Sequence, residues 1–560
     1  MNTKFKTFIL ISVLTLTFCG CGKDFLNTKI DTNRTPASVL TDRSTLWTFA
    51  NAFYAPMTTG FTILDNNLFA AATDEGQQTV SSTNTNCFNQ GTINANINPL
   101  SYLYSSYYTG IQAANFFLDY SKNGRQFLAL NRDTISDVVN YNNDINNLKW
   151  YRAEAHIARA YYYAELIKMY GGVPIIEKTL QQTTTVDVPK STYDQVVAYI
   201  VSEIDNNKAA LQLNWKTSSY TGNDGRFSLG SALAIKARVL LYAASPLHNT
   251  TNDLTKWQAA ASAANDVIAT TGLNYNLDVS NGYRNYFLGS NPLGSNETIL
   301  AVRRAANNTI EALNYPIYTA GGKSGITPTE NLVSDYEYVG TPDPIDPYKN
   351  RDPRLAATVV TNNSTWNSRT IDESAGGTDD MAKTNTSKTG YYLKKFLTDN
   401  LNLVQGGTAQ NQWVAYRYAE VLLNYAEAMN EAYGPDAVVA GYSLTARQAL
   451  KKVRDRASTS LPVVTTAVVS DFRAAVKHER KIELAFEDHR FWDLLRWKDA
   501  ETVLNQPIRG VKVSKNSNGI FTYQTATIGT RKFLSRNYFF PFAQSEIVNS
   551  NGTLIQNIGY

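Results

Sequence analysis

Apolar residues recur every three or four positions in four stretches of the chain, which is the period of an amphipathic α-helix. The stretches are 153–167, 232–242, 257–267 and 416–426. Gly-Gly-Val-Pro at 171–174 follows the first, and Ser-Pro at 245–246 follows the second. Such residues end helices, because glycine adopts the left-handed terminal conformation and proline cannot continue the hydrogen-bonding pattern. The pattern therefore predicts a mainly α-helical fold.

The buried faces of these predicted helices alternate alanine with tyrosine, tryptophan or leucine. Small residues let two helices approach closely while large ones fill the gaps, which is typical of tetratricopeptide-like helical hairpins. The chain has no fixed period of about 34 residues, so we expect helical hairpins within a larger domain and not a regular solenoid. A further helix is predicted over 472–498, where charges of both signs surround apolar positions.

Long polar stretches separate the predicted helices. Three of them lack helical periodicity and are rich in Thr, Ser, Asn, Gly or Asp: 74–100, 321–354 and 361–390. Structureless segments of this length are uncommon in compact domains and usually carry function. We therefore predict a helical scaffold with a loop-rich, irregular second part, and we expect the binding surface on these loops.

The first residues have the features of an export signal. Two lysines precede an uncharged, largely apolar run at 8–18, which is shorter than the roughly 20 residues of a membrane-spanning helix. Cys21 then follows the small residue Gly20, in a pattern that resembles the lipobox of bacterial lipoproteins. The sequence predicts a signal peptide at 1–20 and lipidation at Cys21. The alternative is ordinary cleavage near Gly20 without a lipid.

Composition and charge exclude two classes of protein. Of the 560 residues, 43% are hydrophobic and 18% are charged, which excludes an intrinsically disordered chain. The 52 basic and 48 acidic residues are too nearly equal for a dedicated nucleic-acid-binding protein. With Cys19 removed in the signal and Cys21 lipidated, Cys87 is the one cysteine left. It has no partner for an internal disulfide, and we expect it to be buried and unreactive.

No residue pattern in the sequence supports catalysis, a metal site or a bound cofactor. His478 and His489 are too far apart on one helix to share a metal. The motifs H-E-x-x-H, C-x-x-C and G-x-x-x-x-G-K-[ST] do not occur. A glycosidase needs two carboxylates that face each other across a cleft, and a sequence alone does not show such a pair. We therefore predict a binding protein that is not an enzyme.

The segment 44–121 contains no basic residue and four acids. It is rich in asparagine and glutamine between 84 and 98, and in tyrosine between 102 and 108. Aromatic rings stack on the apolar faces of sugars, and amides both donate to and accept from hydroxyl groups. This composition favours a neutral oligosaccharide or polysaccharide as the ligand. The alternative for the tyrosines is that they pack in a helix that continues to Ile111.

We predict four ligand-binding residues, because a sugar platform needs exposed rings beside polar loops: Asp74, Tyr104, Trp366 and Trp413. Asp74 stands at the start of the amide-rich stretch, and Tyr104 stands just after its end. Trp366 lies in Asn-Asn-Ser-Thr-Trp-Asn-Ser, where no apolar neighbour in the sequence covers the indole. Trp413 follows Gln-Asn-Gln, although the alternative is that it packs beneath the helix predicted from Tyr416.

Several motifs carry a resemblance to a known family. The first is Cys-Gly-Lys-Asp-Phe-Leu at 21–26, and the second is Arg-Ala-Glu-Ala at 152–155 followed by Tyr-Gly-Gly-Val-Pro at 170–174. The third combines Arg-Tyr-Ala-Glu-Val-Leu-Leu at 417–423, Glu-Arg-Lys-Ile-Glu-Leu at 479–484 and Arg-Phe-Trp-Asp-Leu at 490–494. The fourth is Phe-Pro-Phe at 540–542. Asp-Pro-Arg-Leu at 352–355 is a weaker match. In this order the motifs resemble those of the RagB/SusD family, the surface nutrient-binding lipoproteins of Bacteroidetes.

The resemblance implies a SusD-like α-superhelix and a division of the chain into four regions. These are the signal peptide at 1–20, an N-terminal region with helical hairpins at 21–225, a further hairpin at 226–275, and a C-terminal region at 276–560 that is first loop-rich and then helical. Asp74 is similar in position to an acidic element near the family's ligand site.

The resemblance also implies a function. The expected protein is held in the outer membrane by its lipid, is exposed at the cell surface, captures oligosaccharides and delivers them to a SusC-like TonB-dependent transporter. One alternative is a peptide ligand, which some relatives take. Another is a tetratricopeptide scaffold that binds only protein.

Overall fold

A computed structural model describes residues 43–180, 188–218, 220, 222–456 and 461–560. The predicted signal peptide and the predicted lipidation site, Cys21, lie outside the described residues. The helices in chain order are α1 (Arg43–Ala52), α2 (Thr83–Asn89), α3 (Tyr102–Tyr120), α4 (Gly124–Ala129), α5 (Val138–Tyr170), α6 (Tyr193–Asn207), α7 (Leu229–Ala244), α8 (Leu254–Ala269), α9 (Gly282–Tyr286), α10 (Asn291–Gly294), α11 (Thr309–Asn314), α12 (Glu330–Val333), α13 (Arg354–Thr358), α14 (Tyr418–Tyr433), α15 (Ala446–Arg454), α16 (Val469–Glu483), α17 (Arg490–Arg496), α18 (Ala500–Val503) and α19 (Gln544–Asn549).

The strands are short, apart from one hairpin, and pair antiparallel in two-stranded sheets. They are β1 (Gly76–Gln78), β2 (Thr298–Val302), β3 (Ile326–Pro328), β4 (Val359–Val360), β5 (Thr365–Trp366), β6 (Arg369–Thr370), β7 (Tyr392–Leu393), β8 (Trp413–Arg417), β9 (Ile508–Lys515) and β10 (Phe521–Gly529). The pairs are β1–β3, β2–β8, β4–β7, β5–β6 and β9–β10.

The predicted mainly α-helical fold is confirmed. α5 ends at Gly171, whose φ of 72° is the left-handed conformation that glycine adopts at a helix end. α7 begins with a capping box, in which Ser228 and Ser231 each bond the other's backbone N–H. The helix predicted from Tyr416 starts two residues later, because Tyr416 lies in β8.

The long helices pack in pairs: α3 on α5, α5 on α6, α7 on α8, and α14 on both α8 and α15. The predicted alternation of small and large residues explains how closely they approach. A Cβ placed on Gly110 of α3 would lie 2.3 Å from the ring of Tyr162 in α5. The facing side chains are fully buried, including Ala155 and Ala158. Among the described helices, none has the length and apolar character that crossing a membrane requires.

A second apolar cluster lies among the short strands and loops that follow α8. It includes Tyr315, Trp366, Tyr392, Phe396 and Phe486. The loop-rich second part therefore has its own core, built by residues far apart in the sequence. Cys87, in α2, is a buried free cysteine as predicted.

The single helix predicted over 472–498 is wrong, because the chain breaks between α16 and α17. Phe486 and Asp488 have φ values of 65° and 62°, in the left-handed region. Two carboxylates at this break face the buried guanidinium of Arg417. Arg417 lies 2.7 Å from the Glu483 carboxylate and 2.6 Å from that of Glu487. A buried charge needs such partners. The left-handed backbone at Phe486 and Asp488 is what ends the helical path between α16 and α17.

Candidate ligand-binding site

A cleft of about 580 Å³ opens where the loop before α2 meets the start of α3. Its wall is the segment 57–66, of which 57–59 and 62–66 line the space, and Asn84, Pro99 and Tyr102 complete the lining. The cleft therefore combines one aromatic ring with amide, hydroxyl and carboxylate groups. Two of its parts, Asn84 and Pro99, come from the polar stretch at 74–100.

A tight turn places two polar side chains at the cleft. Leu64 and Asn67 exchange backbone hydrogen bonds of 3.1 and 2.9 Å. The two residues between them, Asp65 and Asn66, have φ values of 55° and 56°. Two-residue hairpins require positive φ at both central positions, and Asp and Asn tolerate it better than other side chains. The local sequence therefore selects this turn.

Asp65 is held by neutral donors. Its carboxylate accepts hydrogen bonds from the Ser82 hydroxyl, from Asn84 Nδ2 at 2.8 Å and from Thr85 Oγ1 at 2.9 Å. Partial burial opposes ionisation, but these hydrogen bonds, together with one from Gln78, outweigh it and lower the pKa of Asp65. The cleft therefore carries a negative charge at neutral pH, and no basic side chain in the described part of the chain pairs with it. The same bonds fix Asn84 beside it.

Tyr102 is the first residue of α3 and is 47% exposed. Its hydroxyl donates a 3.1 Å hydrogen bond to the backbone oxygen of Ile63, in the opposite wall. Burial, and then the charge of Asp488, raise the pKa of this hydroxyl, so it stays protonated. The ring is thus anchored at its far end, and half of its surface remains open to a ligand.

The wall of the cleft rests on Trp413. Gly60 packs so closely on this indole that an added Cβ would lie 2.2 Å from Cζ2. Phe61 contacts the same indole edge-to-face, with 5.1 Å between ring centroids. The predicted ligand residue Trp413 is therefore buried beneath the wall and does not line the cleft. Its ring partners are Phe61 and Phe396, in the second apolar cluster.

Asp74 is buried in a charged cluster and does not line the cleft. Its carboxylate lies 2.8 Å from Arg490 and 2.9 Å from Lys481. Burial alone would raise its pKa, but the two cations lower the pKa of Asp74 strongly. Glu75 next to it has no such pairing, and burial together with the charge of Asp74 raises the pKa of Glu75 to about 8. This acid pair joins β1 to α16 and α17.

Tyr104 lies on the buried side of α3. Its ring packs against Tyr108, Tyr170 and Phe542 with centroid distances of 4.8, 5.3 and 5.7 Å. Each residue on a helix is rotated by about 100° from the one before it, so Tyr104, two positions after Tyr102, points to nearly the opposite face of α3. The alternative that these tyrosines pack in a helix holds for Tyr104 and also for Tyr107, which is buried.

The expected exposure of Trp366 is wrong, because the ring is 1% exposed. Trp366 packs edge-to-face on Tyr315 at a centroid distance of 5.2 Å, inside the second apolar cluster. Its neighbours in sequence are polar, and the residues that cover it come from distant segments. None of the four predicted residues presents an open ring or carboxylate at the cleft, and their contact with a ligand stays a prediction.

Sequence reasoning missed the Asp65–Asn66 turn, and it selected Tyr104 where Tyr102 lines the cleft. The turn leaves a signal, since three Asx residues, 65–67, stand between the apolar pairs Ile63-Leu64 and Leu68-Phe69. The choice between Tyr102 and Tyr104 depends on which face of α3 is buried. That face is set by Tyr170 and Phe542, which are far away in the chain.

The lining of the cleft contains a single carboxylate, that of Asp65, whereas glycosidases use two opposed acids. Across the described ranges of the chain, no three His, Cys, Asp or Glu side chains come together as the ligands of a metal ion would.

Two family models match the chain. The model of the SusD family matches residues 280–560, and a model described as starch-binding and associating with the outer membrane matches residues 24–241. Together they account for most of the described chain.

Individual proteins are similar over most of their length. The SusD-like protein P2 of Formosa agariphila is 24% identical, over 76% of this chain and 77% of that protein. A SusD-like carbohydrate-binding protein of Bacteroides fragilis superposes with a TM-score of 0.74 at 22% identity, covering 92% of this chain and 100% of the other. Surface glycan-binding protein A of Bacteroides uniformis gives 0.65 at 20% identity, covering 92% and 99%. At these identities the structural likeness establishes the fold.

Proposed function

Because the chain belongs to the SusD family, we propose that it captures neutral oligosaccharides at the cell surface and delivers them to a SusC-like TonB-dependent transporter. The observation that carries the glycan part is the cleft beside α3. An open tyrosine ring faces amide and carboxylate groups there, with Tyr102, Asn66, Asn84 and Asp65 around one space. A ring supports stacking on a sugar, and the polar groups match its hydroxyls.

The proposed protein binds its ligand without cleaving it. The single carboxylate in the cleft supports this, since acid–base hydrolysis of a glycosidic bond uses two. The purified protein should leave candidate oligosaccharides intact on long incubation. Release of reducing ends that disappears in Asp65→Asn would instead identify an enzyme.

Titration calorimetry with a panel of neutral oligosaccharides tests the site. Once a binding sugar is found, Tyr102→Ala should weaken it several-fold, because one stacked ring contributes about 0.5–1.5 kcal/mol by analogy with aromatic pairs. Tyr433→Ala is the matched control: that tyrosine is 37% exposed at the end of α14, away from the cleft. Equal affinity of both variants would place the sugar elsewhere. Binding of peptides in preference to sugars would favour the peptide alternative.

The anchor is part of the same proposal. Gly20-Cys21 after the apolar run supports lipidation at Cys21, and two acyl chains give stable attachment, at about 0.8 kcal/mol for each buried CH₂. Cys21→Ala should accumulate as an unlipidated precursor, whereas Cys19→Ala should still be acylated. Mass spectrometry that finds lipid on Cys19 alone would contradict the assignment.

A further inference from the structure

The hairpin of β9 and β10 has one covered edge and one open edge. On the outer side of β9, the Val511 N–H donates to Thr389 O at 2.8 Å, and Val513 O accepts from Ala375 N at 3.3 Å. On the other side, β9 pairs with β10 along its length. Within the described part of the chain, the backbone of β10 has no hydrogen-bond partner apart from β9. β10 is therefore a free sheet edge.

The register shows which groups of β10 point outward. Tyr523 lies opposite Val513, and Thr525 lies opposite Val511. In an antiparallel pair, residues alternate between those bonded to the partner strand and those facing away. Because Val511 and Val513 direct their bonding groups away from β10, the residues opposite them direct theirs away from β9. The N–H and C=O groups of Tyr523 and Thr525 are thus available to another strand.

The open edge of β10 lacks the charged residues and prolines that usually prevent a free strand from pairing with another chain. Residues 521–529 contain no charged residue and no proline. The side chains of Thr522, Gln524, Thr525 and Thr527 are exposed. Free edges without inward charges or proline pair readily with other chains, and most proteins block or cover them. An uncovered strand edge without these features is suited to pairing with a strand of another protein.

The charge around the hairpin indicates what kind of partner fits. From 502 to 545 the chain contains no acid and six basic residues. Three of them, Arg509, Lys512 and Lys515, are exposed on β9 itself, and one acid from another segment, Asp372, lies 3.6 Å from Lys515. A strand added to β10 would lie about 10 Å from β9, within reach of these long side chains. A second copy of the hairpin would bring like charges together, whereas an acidic segment would neutralise them.

We propose that the free edge of β10 docks an extended, acidic segment of a partner protein, which adds to the hairpin as a third strand. Main-chain hydrogen bonds to Tyr523 and Thr525 provide the binding, and the basic residues of β9 select an acidic sequence. This site is separate from the glycan cleft and does not depend on the proposed glycan function.

A fluorescent nonapeptide of alternating glutamate and valine tests the proposal by anisotropy, with alternating lysine and valine as its counterpart. The purified chain should bind the acidic peptide and not the basic one. Thr525→Pro removes an outward N–H without touching the bonds to β9, so it should weaken binding at least tenfold. Thr525→Val keeps that N–H and is the matched control.

A second variant covers the case in which Thr525→Pro disturbs the hairpin. Lys512→Glu combined with Lys515→Glu leaves the backbone intact and should reverse the preference between the two peptides. Bound acidic peptide should also slow amide exchange at Tyr523 and Thr525. No binding of the acidic peptide, equal binding by Thr525→Pro, or an unchanged preference after charge reversal would overturn the proposal. A concentration-dependent dimer that Thr525→Pro abolishes would also overturn the proposal, because the strand paired with β10 would then come from a second copy of this chain.

Discussion

Asp65 and Asp74 lie close together in one nearly uncharged stretch, and the fold uses them in different ways. Asp74 is buried and held by two cations, Arg490 and Lys481. Asp65 remains partly exposed and is held by hydroxyl and amide donors. Both have a lowered pKa, but for different reasons. Asp74 is fixed by opposite charge, and Asp65 by neutral hydrogen bonds.

The aromatic rings show the same division. Trp366 is covered on all sides by the second apolar cluster, whereas Tyr102 is held only at its hydroxyl. Groups that hold the fold together are paired or covered by distant parts of the chain. Groups at the cleft are positioned by short local bonds that leave a surface free. The predictions below test whether stability and binding separate along this line.

Trp366→Ala should have the largest effect on stability. Truncating a fully buried indole costs about 3–5 kcal/mol, because it removes apolar contacts and leaves a cavity. Urea denaturation measures the change. The affinity of the folded variant for a bound oligosaccharide should equal that of the wild type. A loss of affinity at unchanged stability would return Trp366 to the ligand site.

Asp74→Asn should destabilise the protein by about 3 kcal/mol or more, because it leaves Arg490 and Lys481 buried without their carboxylate. Asp335→Asn is the control. Asp335 also pairs with Lys481, at 2.7 Å, but its side chain is 39% exposed. Exposed pairs contribute about 1 kcal/mol or less. Equal losses in the two variants would show that the buried cluster is not the stronger restraint.

Glu75→Gln should change how stability depends on pH. The pKa of Glu75 is raised from its usual 4.5 to about 8, so folding favours the protonated acid. The wild type is therefore most stable, relative to the variant, below pH 4.5. That advantage falls as pH rises towards 8, by up to about 1.4 kcal/mol per pH unit. Urea denaturation of both proteins at pH 5, 6, 7 and 8 measures the difference, and parallel curves would contradict it.

The long helices were predictable because the burial of their faces repeats within a few residues, as along α5 and α7. The break between Glu483 and Arg490 was not, because its left-handed turn holds Phe486 in the second apolar cluster, whose members come from other segments. Trp366 was misplaced for the same reason, since Tyr315 covers it from a distance. The amide-rich stretch that the sequence singled out contributes Asn84 to the cleft. Which tyrosine faces outward depends on the packing of α3 against the C-terminal residues.

Asp65→Asn should have the smallest effect on stability and a clear one on binding. The amide cannot accept from Ser82, Asn84 and Thr85 together, so one of these bonds is lost. Asn84 is exposed and can reverse its amide, so that its oxygen accepts from the new NH₂ group, at a cost of about 1 kcal/mol or less. The cleft then loses its negative charge and presents Asn84 with donor and acceptor exchanged, so affinity should fall several-fold by calorimetry.

The matched control is Asp119→Asn. Asp119 is a partly exposed acid of the same stretch, and it accepts from the Thr179 N–H and hydroxyl at 3.1 and 2.9 Å, away from the cleft. Its variant should lose similar stability and keep full affinity. Since the pKa of Asp65 is lowered, wild-type affinity should be constant from pH 5 to 8. If Asp65→Asn instead unfolds as readily as Asp74→Asn, the turn is part of the core, and the distinction between the two aspartates fails.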